Sequence, residues 1–149
     1  MKLVQNESPK FTKKHMDFLK KYEKSYGIEI SQDYYKKEIN NILNGEPSPR
    51  CDSDQRCYEI FEGELYLGDI IVNEDNEIDI LIFDEHTGNK YAYRAIKLFL
   101  EEHYVRGVCF EAVVRGKNND KEKIKKVLTK AGFRNVETSK EGNEIWVYN

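Results

Sequence analysis

An apolar run at residues 78–83 gives way, within a few residues, to an amphipathic segment that begins at Tyr91. Between them lie Thr87, Gly88, Asn89 and Lys90, and the segment itself opens with Tyr91 and Ala92. A helix start offers unpaired backbone N–H groups and the positive end of the helix dipole, which together hold a phosphate or another compact anion. Such donors do not depend on side-chain identity. The plainer reading of the same stretch is a strand-to-helix turn. Just upstream, Glu77 and Asp79 stand two residues apart, so on a strand their carboxylates share one face. They are proton acceptors or, as is common beside a hairpin turn, solvated charges. Asn118 and Asn119 follow a second apolar run and read, by residue type, as turn or cap residues. Lys121, Lys123, Lys125 and Lys126 lie off the apolar stripe of the following segment, where they meet an anion or form a solvated face. His15, His86 and His103 show no metal-ligand spacing with Cys51, Cys57 and Cys109, so no metal site is expected.

The elements that must position these groups follow from periodicity. Ser8-Pro9 has the form of an N-cap followed by proline at the first helical position, and Phe11, His15, Phe18, Leu19 and Tyr22 then recur on one helical face, predicting a helix that ends near Gly27. A second helix opens at Ser31, turns Tyr35, Ile39, Ile42 and Leu43 inward and stops at Asn44-Gly45. Pro47-Ser48-Pro49 makes a loop. The period then changes to that of strands at 57–61, 65–72 and 78–83, joined by Glu62-Gly63-Glu64 and by a turn at 73–76. After the loop at 86–90, a helix over 91–103 places Ala92, Ala95, Ile96 and Phe99 on its apolar face. A strand at 108–114 follows. Next comes a helix with Ile124, Val127, Leu128 and Ala131 inward and Gly132 at its end, then short strands around Val136 and at 144–148. The predicted order is α-α-β-β-β-α-β-α-β-β, an α+β or mixed α/β fold.

Composition narrows the function classes. A chain of 149 residues with 39% hydrophobic and 34% charged residues has room for one core, so a single domain over residues 1–149 is expected. A net charge of -3 gives no global positive field for a polyanion, which makes nucleic acid an improbable partner. Three cysteines without dense spacing, a polar N-terminus and the absence of any long apolar stretch predict a cytoplasmic protein that does not engage a membrane.

Several segments taken together carry a resemblance. Leu67-Gly68-Asp69-Ile70, the run 77–83, the stretch 88–96, Glu111-Ala112-Val113-Val114 followed by Asn118, and Lys130-Ala131-Gly132-Phe133 resemble, in order and spacing, the GNAT superfamily of N-acetyltransferases. The family loop reads Arg/Gln-x-x-Gly-x-Gly/Ala; here Thr87, Lys90 and Ala92 stand at those positions, and only the last conforms. A lysine in place of that glycine costs about 1–2 kcal/mol if the position is left-handed.

The resemblance implies a mostly antiparallel central sheet, flanked by helices and splayed between the family's fourth and fifth strands. It implies acetyl-CoA as co-substrate, with its pantetheine arm on the main chain of Leu81, Ile82 and Phe83, its pyrophosphate on residues 87–92, and Asn118 or its neighbour Asn119 bonding the arm. One main-chain N–H of that strand would also stabilise the oxyanion as an amine attacks the thioester. Glu77 is implied as the base that takes the amine proton, with Asp79 on the same side. The family's frequent tyrosine acid falls at Leu128; a thiolate leaves without much help from an acid, so its loss is not disabling.

The implied activity is direct transfer of an acetyl or similar acyl group to a primary amine, on a small molecule or a peptide, in a ternary complex. Two other readings stay open: a module that binds acyl-CoA or a protein without turnover, and contact with RNA through the lysine-bearing helix. A homodimer is compatible with the sequence.

Overall fold

The computed structural model describes residues 1–23, 29–88 and 90–149. Strands β1 (Lys2–Asn6), β2 (Arg56–Glu62), β3 (Leu65–Val72) and β4 (Ile78–Ile82) form an antiparallel sheet in chain order. Strands β5 (Phe110–Val114), β6 (Arg134–Thr138) and β7 (Glu144–Tyr148) form a second sheet in the order β5-β7-β6. The helices are α1 (Lys13–Tyr22), α2 (Gln32–Leu43), α3 (Tyr91–His103) and α4 (Lys121–Ala131), with a 3-10 turn at Asp84–His86.

One face of the first sheet presents Tyr58, Ile60, Leu67, Ile70, Val72 and Ile78 to Ala95, Ile96, Phe99 and Leu100 of α3. Phe110, Ala112 and Val114 of β5, Leu128 of α4 and Trp146 of β7 continue the same core. Each large apolar side chain so buried contributes about 1.5–3 kcal/mol, which is why the strand period of 57–83 and the helical period of 91–103 were both legible. The opposite face of the first sheet is covered by α1, whose His15 ring meets Phe83 and Tyr66 at centroid distances of 5.1 and 6.0 Å. Among the described residues no helix is long and apolar enough to cross a membrane.

The chain differs from its sequence reading at four places. A strand, β1, precedes everything else: it pairs Leu3 with Ile60 and Lys2 with Phe61, and the Met1 amine meets Glu62 at 3.1 Å. Its short polar sequence carries no strand signal because its stability comes from the distant β2. Helix α1 starts at Lys13 and not at Ser8-Pro9; Thr12 is the cap, its hydroxyl accepting from the His15 N–H. Residues 9–11 are held extended instead, since Phe11 N–H donates to the Ser48 carbonyl at 2.9 Å and Arg50 N–H to the Pro9 carbonyl at 3.1 Å. The helix ends at Tyr22, and Gly27, its expected end, lies outside the described residues. Leu43, expected inward, is 78% exposed, and α2 buries Tyr35 together with Glu38, which accepts from Ser48 Oγ at 2.8 Å. Finally β5 begins at Phe110, because Val108 N–H turns back to the Val105 carbonyl.

Candidate functional site

The two sheets touch where β4 and β5 begin and then separate. Glu77 and Glu111 form an isolated parallel bridge, with Glu111 N–H donating to the Asn76 carbonyl at 3.0 Å. Beyond it, among the described residues, no bridge joins β4 to β5. The parity of β4 is fixed at both ends. The Glu77 carbonyl accepts from Asn73 N–H at 3.1 Å, and Phe83 N–H donates to the Leu67 carbonyl at 2.9 Å. In an antiparallel ladder residues alternate in the edge they bond, so Asp79 and Leu81 also spend their main-chain groups on β3. Ile80 and Ile82 therefore turn theirs toward β5, into the gap. Of the three strand positions expected to bind a ligand arm, Ile82 has that orientation, while Leu81 and Phe83 face β3; Ile80, which sequence reasoning passed over, joins Ile82.

At the end of β4 the chain makes the 3-10 turn and enters α3. Thr87 is folded onto that turn, its hydroxyl and its N–H both donating to the Asp84 carbonyl, at 3.0 and 3.2 Å. Gly88 follows with φ +86°, and Asn89 lies outside the described residues. Lys90 sits at φ +59°, ψ +20°, the left-handed conformation that a family glycine would adopt without strain, and it precedes the helix without a side-chain cap hydrogen bond. The first intrahelical bond runs from Arg94 N–H to the Lys90 carbonyl at 3.1 Å. The N–H groups of Tyr91, Ala92 and Tyr93 consequently have no acceptor within the helix. Asp84 and Glu85, acidic residues that would oppose an anion here, are paired with Lys21 and Lys14 of α1. Tyr22 adds a hydroxyl donated to Asp84 at 2.5 Å.

Glu77 and Asp79 do share one face, as their spacing required. Glu77 accepts from Asn73 Nδ2 at 3.3 Å and is partly buried. The Asp79 carboxyl is reached by water yet crowded by protein on its sides. Crowding first, and the Glu77 charge second, hold it above the usual carboxylate range, with Arg115 opposing. The bridge places Glu111 beside Glu77, and the alternation of β5, with Phe110, Ala112 and Val114 buried, directs Glu111, Val113 and Arg115 to that same open face.

Asn118 is buried, and its Oδ1 accepts from Asp120 N–H at 2.9 Å, a turn that starts α4. Asn119 is exposed. Lys121 donates to the Gly116 carbonyl at 3.2 Å, and Lys125 pairs with Glu144 at 2.5 Å, which leaves Lys123 and Lys126 as the more solvated of that set. Leu128 is a core residue.

Beneath α1 lies a polar cluster that no sequence pattern announced. Asp69, fully buried, accepts from His15 Nε2 at 2.7 Å, from Arg50 Nη2 at 3.2 Å and from the Tyr66 hydroxyl. Arg50 Nη2 also reaches Glu59 at 2.7 Å, and Thr12 Oγ1 bonds His15 Nδ1 at 2.6 Å. Burial works to raise the Asp69 pKa, but the His15 bond, the Arg50 charge and the Tyr66 bond outweigh it and hold the carboxyl below its usual range. The cluster fastens α1 and the segment after α2 to β3, and so fixes the wall beside Phe83.

No protein-family model matches the chain, and no curated protein sequence matches it. Solved structures do. An acetyltransferase from Thermus thermophilus superposes with a TM-score of 0.60 at 22% identity, over 98% of this chain and 97% of that one. A spermidine N-acetyltransferase from Vibrio cholerae, solved with CoA and spermine, gives 0.60 at 13% identity, over 98% and 94%. The N-acetyltransferase PseH from Campylobacter jejuni, solved with acetyl coenzyme A, gives 0.60 at 12% identity, over 99% and 97%. With its sheet parted between β4 and β5 and helices on both faces, this chain has the GNAT acyl-CoA N-acyltransferase fold.

Proposed function

We propose that the protein transfers an acetyl or similar acyl group from acetyl-CoA to a primary amine, the whole chain acting as one catalytic domain. The observation that carries this reading is the direction of two sets of main-chain donors: Ile80 and Ile82 turn theirs from β3 into the gap, and the N–H groups of Tyr91 to Tyr93 at its end have no acceptor within the helix. The helix start holds the pyrophosphate, the edge of β4 holds the pantetheine arm, and Asn118 Nδ2 is available to the same arm. A bound thioester supplies an electrophilic carbonyl carbon and a thiolate leaving group.

The chain's own residues do the rest. Asp79, with Glu77 beside it, takes the proton that an amine must lose before it attacks, since an alkylamine is mostly protonated near pH 7. A raised proton affinity suits Asp79 to that task. The Ile80 or Ile82 amide meets the oxyanion. Both carboxylates and Glu111 also favour a cationic acceptor, a small polyamine-like molecule or a peptide amine, arriving on the α1 side. Solved relatives of the fold that carry CoA with spermine, or acetyl coenzyme A, support this assignment of ligand classes. We place the activity in the cytoplasm, and a homodimer is compatible with it.

The left-handed Lys90 and the apolar Leu128 favour a second reading, a module that binds acyl-CoA without turnover. Calorimetry with acetyl-CoA, followed by a free-thiol assay in the presence of amines, separates the two. Micromolar binding with thiol release is the expected result; binding without release supports the module, and no binding sinks both.

A further inference from the structure

The buried cluster beneath α1 has an outlet at the surface. The Asp69 carboxylate accepts from Arg50 Nη2 and from the Tyr66 hydroxyl, so the His15 Nε2 that meets it at 2.7 Å is a donor as well. With its proton on Nε2, the neutral imidazole leaves Nδ1 bare. Among the described residues that nitrogen bonds one group, the Thr12 hydroxyl at 2.6 Å, which therefore donates to it. His15 is 4% exposed and Asp69 0%, whereas Thr12 is half-buried, so the hydroxyl is the member that solvent reaches. A threonine that only capped α1 would need no base. Thr12 does accept from His15 N–H, at 3.4 Å, but its own proton points to the ring. The first bond of the helix runs from Met16 N–H to the Thr12 carbonyl at 3.1 Å, and the N–H groups of Lys13 and Lys14 beside the hydroxyl have no acceptor within the helix.

We propose that Thr12 and His15, oriented by Asp69, form a second catalytic centre, separate from the acyl-CoA cleft, that hydrolyses carboxylic esters through an acyl-threonine. Nucleophile, base and orienting carboxylate stand in hydrogen-bonded sequence, the arrangement that activates a hydroxyl on unrelated folds.

In the first step Thr12 Oγ1 attacks the ester carbonyl carbon and His15 Nδ1 takes its proton. The bond from that carbon to the alkoxy oxygen breaks, and the alcohol departs with the proton from Nδ1. In the second, a water oxygen attacks the acyl carbon while Nδ1 takes a water proton; the bond to Thr12 breaks, and Oγ1 recovers that proton. One ester and one water give one acid and one alcohol. The Lys13 and Lys14 N–H groups meet the carbonyl oxygen as it gains charge. Asp69 does not touch the ester; it holds the tautomer and steadies the imidazolium.

The probe is p-nitrophenyl acetate on the full chain. It carries no CoA, so the result does not depend on the assignment of the cleft. A burst of about one p-nitrophenol per chain is expected, with an acetyl group that maps to Thr12 after acid quench and is removed by hydroxylamine. Thr12→Ser should retain the burst. Thr12→Asn keeps an N-cap acceptor, and so the helix start, but should slow acylation at least about 100-fold. His15→Gln, checked for a native circular dichroism spectrum, should slow it by a similar factor. The proposal is overturned if Thr12→Asn releases p-nitrophenol as fast as the parent, if the acetyl group maps to lysine or cysteine, or if the parent is no faster than free imidazole at equal concentration.

Discussion

Replacing Gly68 by alanine perturbs the strand that carries the gap without touching the gap itself. A Cβ on Gly68 would lie 2.0 Å from the Leu81 carbonyl oxygen, 2.9 Å from its carbon and 3.0 Å from Ile82 Cα, all of them backbone atoms. Gly68 also has φ +153°, and β3 carries an extra residue beside it, Leu67, where the register with β2 shifts between Ile60 and Phe61. A tolerable C···O contact is about 3.3 Å, so β4 must retreat by more than about 1 Å. Adding backbone strain of roughly 1–2 kcal/mol to a packing displacement of roughly 1–3 gives a loss of about 2–5 kcal/mol. For a chain of this size that lowers Tm by roughly 5–20 °C, measurable by circular dichroism. The displaced segment presents Ile82, so calorimetry should show weaker acetyl-CoA binding in molecules that remain folded. A Tm within about 2 °C of the parent would refute the close-approach argument, and an unchanged affinity would detach β4 from the site.

Asp79→Asn should lower turnover by about 10²–10⁴ while leaving acetyl-CoA affinity nearly intact, and Glu77→Gln should lower it less; an unchanged rate in steady-state assays excludes the residue concerned as base. Because the folded state holds the Asp79 proton more tightly than the unfolded chain, stability falls as pH rises from the ordinary carboxyl pKa through the raised one, so Asp79→Asn should gain in relative Tm across that window, in full above the raised pKa and not at all below the ordinary one. Asp69→Ala, which strands His15, Arg50 and Tyr66, should cost about 3–5 kcal/mol in urea unfolding. With its folded pKa depressed, Asp69 contributes stability that is full above the ordinary carboxyl pKa and fades as pH falls through the folded value; a flat acid limb would contradict the cluster's role. Lys90→Gly relieves a left-handed lysine and should raise stability by up to about 1 kcal/mol with acetyl-CoA binding retained; lost binding would mean that the lysine side chain, and not the backbone, holds the phosphates.

The periods of 3.6 and 2 made α3, α4 and the strands of the hairpins legible, since those elements bury a face against one core, while α2 was legible from Ser31 and Asn44 at its two ends. Elements held by distant partners were not: β1 depends on β2, and residues 9–11 depend on 48–50. The carboxylate pair on one face was readable because strand geometry alone sets it. The choice of Ile80 and Ile82 over Leu81 and Phe83 was not, because hydrogen-bond parity is set by the ladder that begins at Asn73 and Glu77, and no side-chain pattern records it. Arg50 sits in a loop, and its burial with Asp69 and Glu59 arises only when three separated segments meet.

A ¹⁵N-resolved NMR titration with coenzyme A addresses the gap most directly. Amide resonances of Ile80, Ile82, Tyr91, Ala92 and Tyr93 should shift together with one saturation curve, while those of Leu81 and Phe83, already bonded to β3, move less. Saturation without movement of the Ile80 and Ile82 amides, or no binding at millimolar ligand, would contradict the assignment of this cleft to an acyl carrier.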